Sequence, residues 1–305
     1  MTTQTLFPQP RTAARSRQLV AASERTTIDP FTEIDWSVPI DDEAYHLPPE
    51  LLPLYGTSVW AAMDETRRRE YSRHETSALC GAGIWFENVL MQVVLRHLCE
   101  LPVTDPAHRY LLIEVADECR HSAMFGEFIR RSGTPAYRPS LTPTSLADAD
   151  AQGEDAAGRR AVSYLLILAV EELLDYMNRV TMRDERVHVT SRAMARIHVL
   201  EEARHMSFAK TYLAETMETL SDAERCMVVE TAPILVSVVA EMSVDPAVYE
   251  ELGIENGAEI ARNNPQHRAM IIAGLAKLTG FLTSIGVITE ERVPTWVELG
   301  VMAPI

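Results

Sequence analysis

A glutamate followed three residues later by a histidine occurs twice in this chain, at Glu118/His121 and Glu202/His205. Both copies lie in stretches with helical periodicity, and a spacing of three brings the two side chains onto one helix face. The second copy carries another histidine one turn upstream, so that His198, Glu202 and His205 stand at positions i, i+4 and i+7. At the helical repeat these three fall within an arc of roughly 60°, a single face. A lone histidine on such a face is more often a core residue with a satisfied hydrogen bond, and one Glu-x-x-His arises readily by chance. Two copies on separate helices, with three ligand-type residues in two turns of the second, do not fit that account. Two such helices, each paired with a helix that offers one inward carboxylate, are the recipe for a two-metal carboxylate site inside a four-helix bundle.

A candidate exists for each lone carboxylate. Glu87 sits in an apolar stripe, with Gly83, Ile84, Leu90 and Met91 one turn away. A carboxylate there is expensive unless it is paired or bound to a cation. Glu75, the other choice on that helix, has the polar neighbours Ser72, Arg73 and His74. In the third helix Glu171 and Glu172 compete. Glu171 has Ile167, Leu168 and Leu174 around it and continues the face of Tyr164 and Asn178, whereas Glu172 has Leu168, Ala169 and Asp175. Periodicity leans towards Glu171 and leaves Glu172 open. With Glu171, the metal set is Glu87, Glu118, His121, Glu171, His198, Glu202 and His205. Carboxylates with imidazoles and no thiolate suit hard to borderline cations such as iron or manganese, while structural zinc would favour cysteine and four ligands. Asp117 and Glu201, the acids just before the motif glutamates, are placed to accept the second ring N–H of the ligand histidines. The competing role for both is a salt bridge to Arg120 or Arg204.

The rest of the chain reads as one helical body. Residues 1–50 form an N-terminal arm, partly flexible; residues 1–30 are rich in Thr, Ser, Ala, Arg and Pro without sustained periodicity, and Arg11, Arg15 and Arg17 read as a frayed terminus. Residues 51–305 form a single helical domain with the metal-binding core at about 71–220. From Thr57 the pattern turns helical, with Arg67 to Arg69 ending or bending that element. Helices then run from about Tyr71 to Cys99, from Pro106 to about Arg131 before Gly133, from Arg159 to Met182, and from Ser191 to about Leu220. Ser221 with Glu224 signals a capping box for a helix to about Met242, in which Pro233 predicts a kink or break. Residues 266–285 make a further helix, and Val293 to Ile305 is a tail that packs back on the body. Residues 132–157, with three prolines and the acidic stretch from Asp148 to Asp155, read as a crossover or mobile loop between the two halves. No strand alternation of useful length occurs, so the fold class is all-α.

A net charge of −16 without a basic stripe on any helix argues against nucleic acid as a partner. Cys80, Cys99, Cys119 and Cys226 form no C-x-x-C pair, and each reads as a buried free thiol in a helix. No secretory apolar region precedes a cleavage site, and no uninterrupted apolar run reaches the length of a bilayer span. A reducing, cytoplasmic location without membrane contact is the expectation.

The string Ile197-His198-Val199-Leu200-Glu201-Glu202-Ala203-Arg204-His205, with Glu171 27 residues before His198, resembles the p-aminobenzoate N-oxygenase family. Those proteins are ferritin-like di-iron enzymes that oxidise arylamines, through hydroxylamine and nitroso stages, to nitro compounds. Their distinctive third histidine ligand, one turn ahead of the second Glu-x-x-His, is matched by His198. Their first Glu-x-x-His falls on Glu118 and His121, and their first lone carboxylate on Glu87, across a loop a few residues shorter here. The likeness covers roughly residues 57–285. It implies a ferritin-like four-helix bundle with flanking helices, two iron ions per chain, O2 as co-substrate and a homodimer, with manganese acceptable to the same hard ligands. It also implies N-oxygenation of a small aromatic amine in secondary metabolism such as antibiotic biosynthesis. No flavin or nicotinamide fingerprint occurs, so electrons must come from an external donor or reductase, or from the substrate intermediates. The alternatives are a di-iron hydroxylase or desaturase acting on carbon, and a ferritin-like metal-handling protein. A free benzoate near Glu87 would call for an arginine or lysine on the same face. Between Leu79 and Leu95 there is none, and the helix instead offers Gly81, Ala82 and Gly83. A bulkier or neutral amine fits at least as well.

Overall fold

Residues 9–139 and 156–304 are described in a computed structural model. In chain order they form helices α1 (Pro10–Ser23), α2 (Pro30–Glu33), α3 (Ser58–Ala62), α4 (Glu65–Glu100), α5 (Pro106–Ser132) and α6 (Ala156–Thr181). These are followed by α7 (Val189–Thr219), α8 (Asp222–Glu241), α9 (Pro246–Glu251), α10 (Gly257–Asn263), α11 (Pro265–Ser284) and α12 (Val293–Glu298). Among the described residues the one strand-like pairing is a single bridge between Tyr45 and Val187. The protein is all-α.

The ends of the long helices follow from their caps. The Asp64 side chain accepts the Arg67 N–H, so α4 opens at Glu65 and the arginine cluster lies inside its first turns. Sequence reading put the break at Arg67 to Arg69; the chain breaks instead at Met63 and Asp64. Asp105 caps α5 with Pro106 in its first turn, and Gly133 ends it in the left-handed region at φ 68°. The Ser221/Glu224 capping box starts α8. This helix runs unbroken through Pro233, because Val228, Ala232, Val236 and Val239 are all buried in the main core on either side of it.

Short connections at 101–105 and 182–188 make α4/α5 and α6/α7 antiparallel neighbours, the ferritin-like arrangement. The two hairpins close on each other through α4 with α6 and α5 with α7, while α8 and α11 cover α6. At one end of the bundle His97 of α4, Tyr110 of α5, Tyr164 of α6 and Phe208 and Tyr212 of α7 form a buried cluster, with centroids of 4.4 Å for Tyr164–Tyr212 and 5.1 Å for Tyr110–Phe208. His97 Nδ1 stands 2.8 Å from the Tyr164 hydroxyl. Aromatic pairs of this kind add about 0.5–1.5 kcal/mol each beyond their area burial. Trp296 and Val301 of the tail lie in the same core.

Three expectations need correction. Residues 10–23 are not a frayed terminus: α1 buries Thr12, Ser16, Leu19 and Val20 and docks on α5 and α7. Thr12 Oγ1 donates to Glu215 at 2.7 Å, and Arg15 Nε to Ser207 at 2.7 Å. Of the four cysteines Cys80 alone is buried; Cys99, Cys119 and Cys226 are exposed on the outer faces of their helices. Finally, α4 and the stretch Asp222–Glu251 are long and apolar enough to cross a bilayer by length and composition alone. The apolar part of α4 is mostly buried inside the protein, whereas the second stretch, about a third buried, is α8 and α9 parted by a turn at 242–245. The acidic stretch from Asp148 to Asp155 lies outside the described residues.

Gly81 lets the segment after α5 approach α4, since a methyl there would collide with the Tyr137 carbonyl oxygen. Gly126 of α5 has open space around its α-carbon. Gly81→Ala is therefore expected to destabilise the protein by about 1–3 kcal/mol. Gly126→Ala should stabilise it by about 1 kcal/mol. Denaturant unfolding of the two variants checks the opposite signs.

Candidate metal centre

Each bundle helix delivers its acidic or basic groups to one point. Glu87 comes from α4, Glu118 and His121 from α5, Glu171 from α6, and His198, Glu202 and His205 from α7; none is more than 1% exposed. Two overlapping groups of ligand atoms form there, each with all members within 4.8 Å of one another: Glu87, His121, His198 and Glu202, and separately Glu118, Glu202 and His205. Glu202 belongs to both and Glu171 to neither, although Glu171 is close enough to Glu202 and Glu87 to feel their charge. Its Oε1 lies 3.1 Å from His121 Nδ1 and 3.6 Å from His198 Nε2, and its Oε2 lies 3.0 Å from His205 Nδ1. Glu118 likewise spans two histidines, with Oε2 at 2.8 Å from His121 Nδ1 and Oε1 at 2.9 Å from His205 Nδ1.

The outer nitrogens of the two motif histidines are held crosswise. His121 Nε2 is 2.8 Å from Glu201 on the opposite helix, and His205 Nε2 is 3.2 Å from Asp117. Both roles weighed for these acids hold at once. Arg120 and Arg204 pair with Asp117, and both also approach Glu201, at 3.7 and 3.5 Å. Each Nε2 thus donates to its acid, while each Nδ1 lies within hydrogen-bond reach of Glu118 and Glu202, where a bound cation would take the place of the Nδ1 proton. His198 is oriented differently. Its Nδ1 sits 3.1 Å from the Asn178 side-chain amide, and its Nε2 faces Glu87 at 3.8 Å.

Electrostatics sort the carboxylates into two kinds. Burial pushes Glu87 and Glu171 well above the usual carboxylate range, and repulsion from neighbouring glutamates (Glu118 first for Glu87, Glu202 first for Glu171) adds to it. Burial acts the same way on Glu118 and Glu202, but His205 and its neighbours outweigh it and hold Glu118 down at about 2 and Glu202 well below the usual range. Burial alone would lower His121 and His205, yet their carboxylate partners raise both. Burial wins at His198, which falls to about 4.

The donor set fits a pair of hard cations. Glu87 Oε2, His198 Nε2 and both carboxylate oxygens of Glu171 are buried without a hydrogen-bond partner. Unpaired carboxylates at zero exposure are costly, and bound cations offset that cost. Glu172, the alternative to Glu171, points elsewhere and forms an ion pair with Lys210. Two buried carboxylates and one partly buried amide carry no site signal in the sequence beyond their spacing. Asn178 was used only to trace a face. Glu114, one turn before Glu118, is pushed up to about 8 by burial despite the pull of His205; its spacing of four from Glu118 was the available signal. Glu75 is buried as well, although its sequence neighbours are polar.

Residues 9–286 match the family described as P-aminobenzoate N-oxygenase AurF. The chain is also similar to the uncharacterized protein MT0908 of Mycobacterium tuberculosis and the uncharacterized protein Mb0909 of Mycobacterium bovis. Each is 28% identical over 260 residues, covering 82% of this chain and 76% of the relative.

Replacing the lone carboxylate of α6 separates holding metal from holding the fold. Metal-free Glu171→Leu is expected to be at least as stable as the metal-free wild type, because it removes an unpaired buried carboxylate, and to lose the rise in melting temperature on metal loading. Glu172→Leu should keep that rise while losing stability through its stranded Lys210 partner. Elemental analysis and thermal unfolding with and without ferrous ion decide both.

Proposed function

Because the chain belongs to the P-aminobenzoate N-oxygenase AurF family, we propose that it is a di-iron monooxygenase that uses O2 to N-oxygenate a small, aromatic amine towards hydroxylamine, nitroso or nitro products. The observation that carries this reading is the pair of ligand groups sharing Glu202, with His198 as a third imidazole. In this reading Glu87, Glu118, His121, Glu171, His198, Glu202 and His205 hold the metals, and manganese meets the same donors. When bound, the iron pair supplies O2 activation and the transfer of oxygen to nitrogen. Electrons come from an external donor, the family resemblance implies a homodimer in secondary metabolism, and the cysteine usage fits a cytoplasmic location.

The protein's own groups prepare the site. Asp117 and Glu201 each keep a proton on the outer nitrogen of a histidine, so that its inner nitrogen stays a donor. Asn178, whose side-chain amide nitrogen stands 3.1 Å from His198 Nδ1, fixes the orientation of that ring. Beside His198 lies a space of about 60 Å³ bounded by Gly83, Phe125, Met177 and Met194. It adjoins a cavity of about 270 Å³ lined by Leu79, Phe86, Val170, Leu173, Leu235 and Met242 among others, with no charged side chain. Such walls favour an uncharged ring over a benzoate, and they keep water from the face that the amine nitrogen must reach.

The iron-loaded protein, with a chemical reductant, O2 and aniline, is expected to yield N-oxygenated product by mass spectrometry. Asp117→Asn should weaken metal binding or turnover roughly 10–100-fold. Aminophenol as the sole product would move the reaction to carbon. Many irons accumulating per chain without any oxygenated product would point to metal handling.

A further inference from the structure

Glu75 stands three turns before Glu87 on α4, which places it about 18 Å away along the helix axis. It is 2% exposed, and its Oε1 has no hydrogen-bond partner. Tyr71 and Tyr249 flank it, with their hydroxyls 3.3 Å apart. Burial pushes its carboxyl up to about 7 even though both tyrosines pull the other way. No arginine or lysine pairs with Glu75 among the described residues. The hydrogen bonds from Tyr71 and Tyr249 leave its charge without a counter-charge, and a cation brought to it offsets that cost.

Glu75 also lines a cavity of about 570 Å³ between α4, the end of α8 and α9. The acids on its walls are Glu75, Glu241, Asp245 and Glu250, against Arg138 and Arg262. Arg262 is already committed to Glu241, at 3.3 Å. The remaining balance is acidic and favours a positively charged occupant. This cavity shares Leu79, Ala82, Val238, Met242 and Ser243 with the apolar cavity described above. The apolar cavity in turn shares Leu79, Gly83, Leu174 and Met177 with the space beside His198. Adjoining spaces therefore follow α4 from the metal centre to Glu75, apolar in the middle and acidic at the far end.

We propose that Glu75 determines specificity at the far end of the substrate by binding a cationic group, an alkylammonium or amidinium, on an elongated amine whose body fills the apolar cavity and whose reacting nitrogen reaches the metal centre. The proposal rests on the N-oxygenase reading only for what happens at the reacting end. It also accounts for the lack of a cation on α4 between Leu79 and Leu95, since the ligand carries positive rather than negative charge.

The test uses iron-loaded protein and two probe series, para-(ω-aminoalkyl)anilines of increasing chain length and para-alkylanilines of equal length. Near neutral pH the alkyl amine is protonated and the aniline nitrogen is not. Calorimetric titration is expected to show the ammonium series binding about tenfold or more tighter at its best length, the scale of a hydrogen bond to a charged group. Glu75→Gln, which keeps the shape and the tyrosine contacts, should abolish that preference and leave the neutral series unchanged. Equal binding of both series by the wild type overturns the proposal without recourse to the variant, and so does a preference that survives Glu75→Gln. If the preference and its loss are seen but no probe yields N-oxygenated product, the Glu75 site stands and the reaction assigned to the metal centre falls.

Discussion

Four carboxylates that meet at the dry centre of a helical bundle are the constraint on which the rest of this structure depends. Glu87, Glu118, Glu171 and Glu202 are each at most 1% exposed, and none can be ionised there without positive charge nearby. His121 and His205 supply part of it, which is why Glu118 and Glu202 stay ionised while Glu87 and Glu171 are driven towards protonation. The histidines cannot complete the balance, because His198 loses affinity for its proton where it sits. A pair of divalent cations would replace the protons on Glu87 and Glu171 and satisfy the bare oxygens together. The bundle is thus organised around charges that its own side chains only half neutralise.

The crossed contacts outside the ligands explain how two hairpins hold such a centre in register. The strings Asp117-Glu118-Cys119-Arg120-His121 and Glu201-Glu202-Ala203-Arg204-His205 follow one pattern, acid-Glu-x-Arg-His. In the structure each leading acid serves the histidine of the other copy, Asp117 with His205 and Glu201 with His121. The arginines then tie both acids together. Any slip of α5 against α7 would break both histidine contacts at once and leave charged groups buried without partners. Breaking one such pair costs about 3–5 kcal/mol. The internal repeat is therefore a registration device as well as a source of ligands.

The all-α class, the four long helices and the six ligand-type residues that the two groups bring together were legible because each rests on short-range spacing. A Glu-x-x-His reports its face within one turn, and Asp105-Pro106 and Ser221/Glu224 report helix starts in the same local way. What sequence could not supply was long-range. Residues 10–23 show no obvious amphipathic stripe because part of their buried face is Thr12 and Ser16, hydroxyls satisfied by Glu215 and by the helix backbone. The outward positions of Cys99, Cys119 and Cys226 depend on which helix covers which face, and composition does not say. Likewise Glu171 and Glu172 are adjacent in sequence, and only the placement of Lys210 opposite Glu172 separates them.

Glu75 and Glu87 show most sharply what adjacency in sequence conceals. Read along the chain they are rivals for one role, because a single lone carboxylate is wanted from α4. In space the row Glu75, Leu79, Gly83, Glu87 steps by four residues along a ridge of the helix, and its first three members line the spaces that lead from α9 towards the buried Glu/His cluster. The two middle positions are held to a narrow range of size. A methyl at Gly83 would come within 3.0 Å of the Phe125 ring, and Leu79 forms a wall of all three spaces. A ridge with an acid at each end and small or apolar residues between them distinguishes the two ends of a long ligand by the chemistry waiting there. The missing cation on α4 belongs to the same selection: Glu75 makes the far end of these spaces acidic, and a molecule that brings negative charge there finds no counter-charge along the helix.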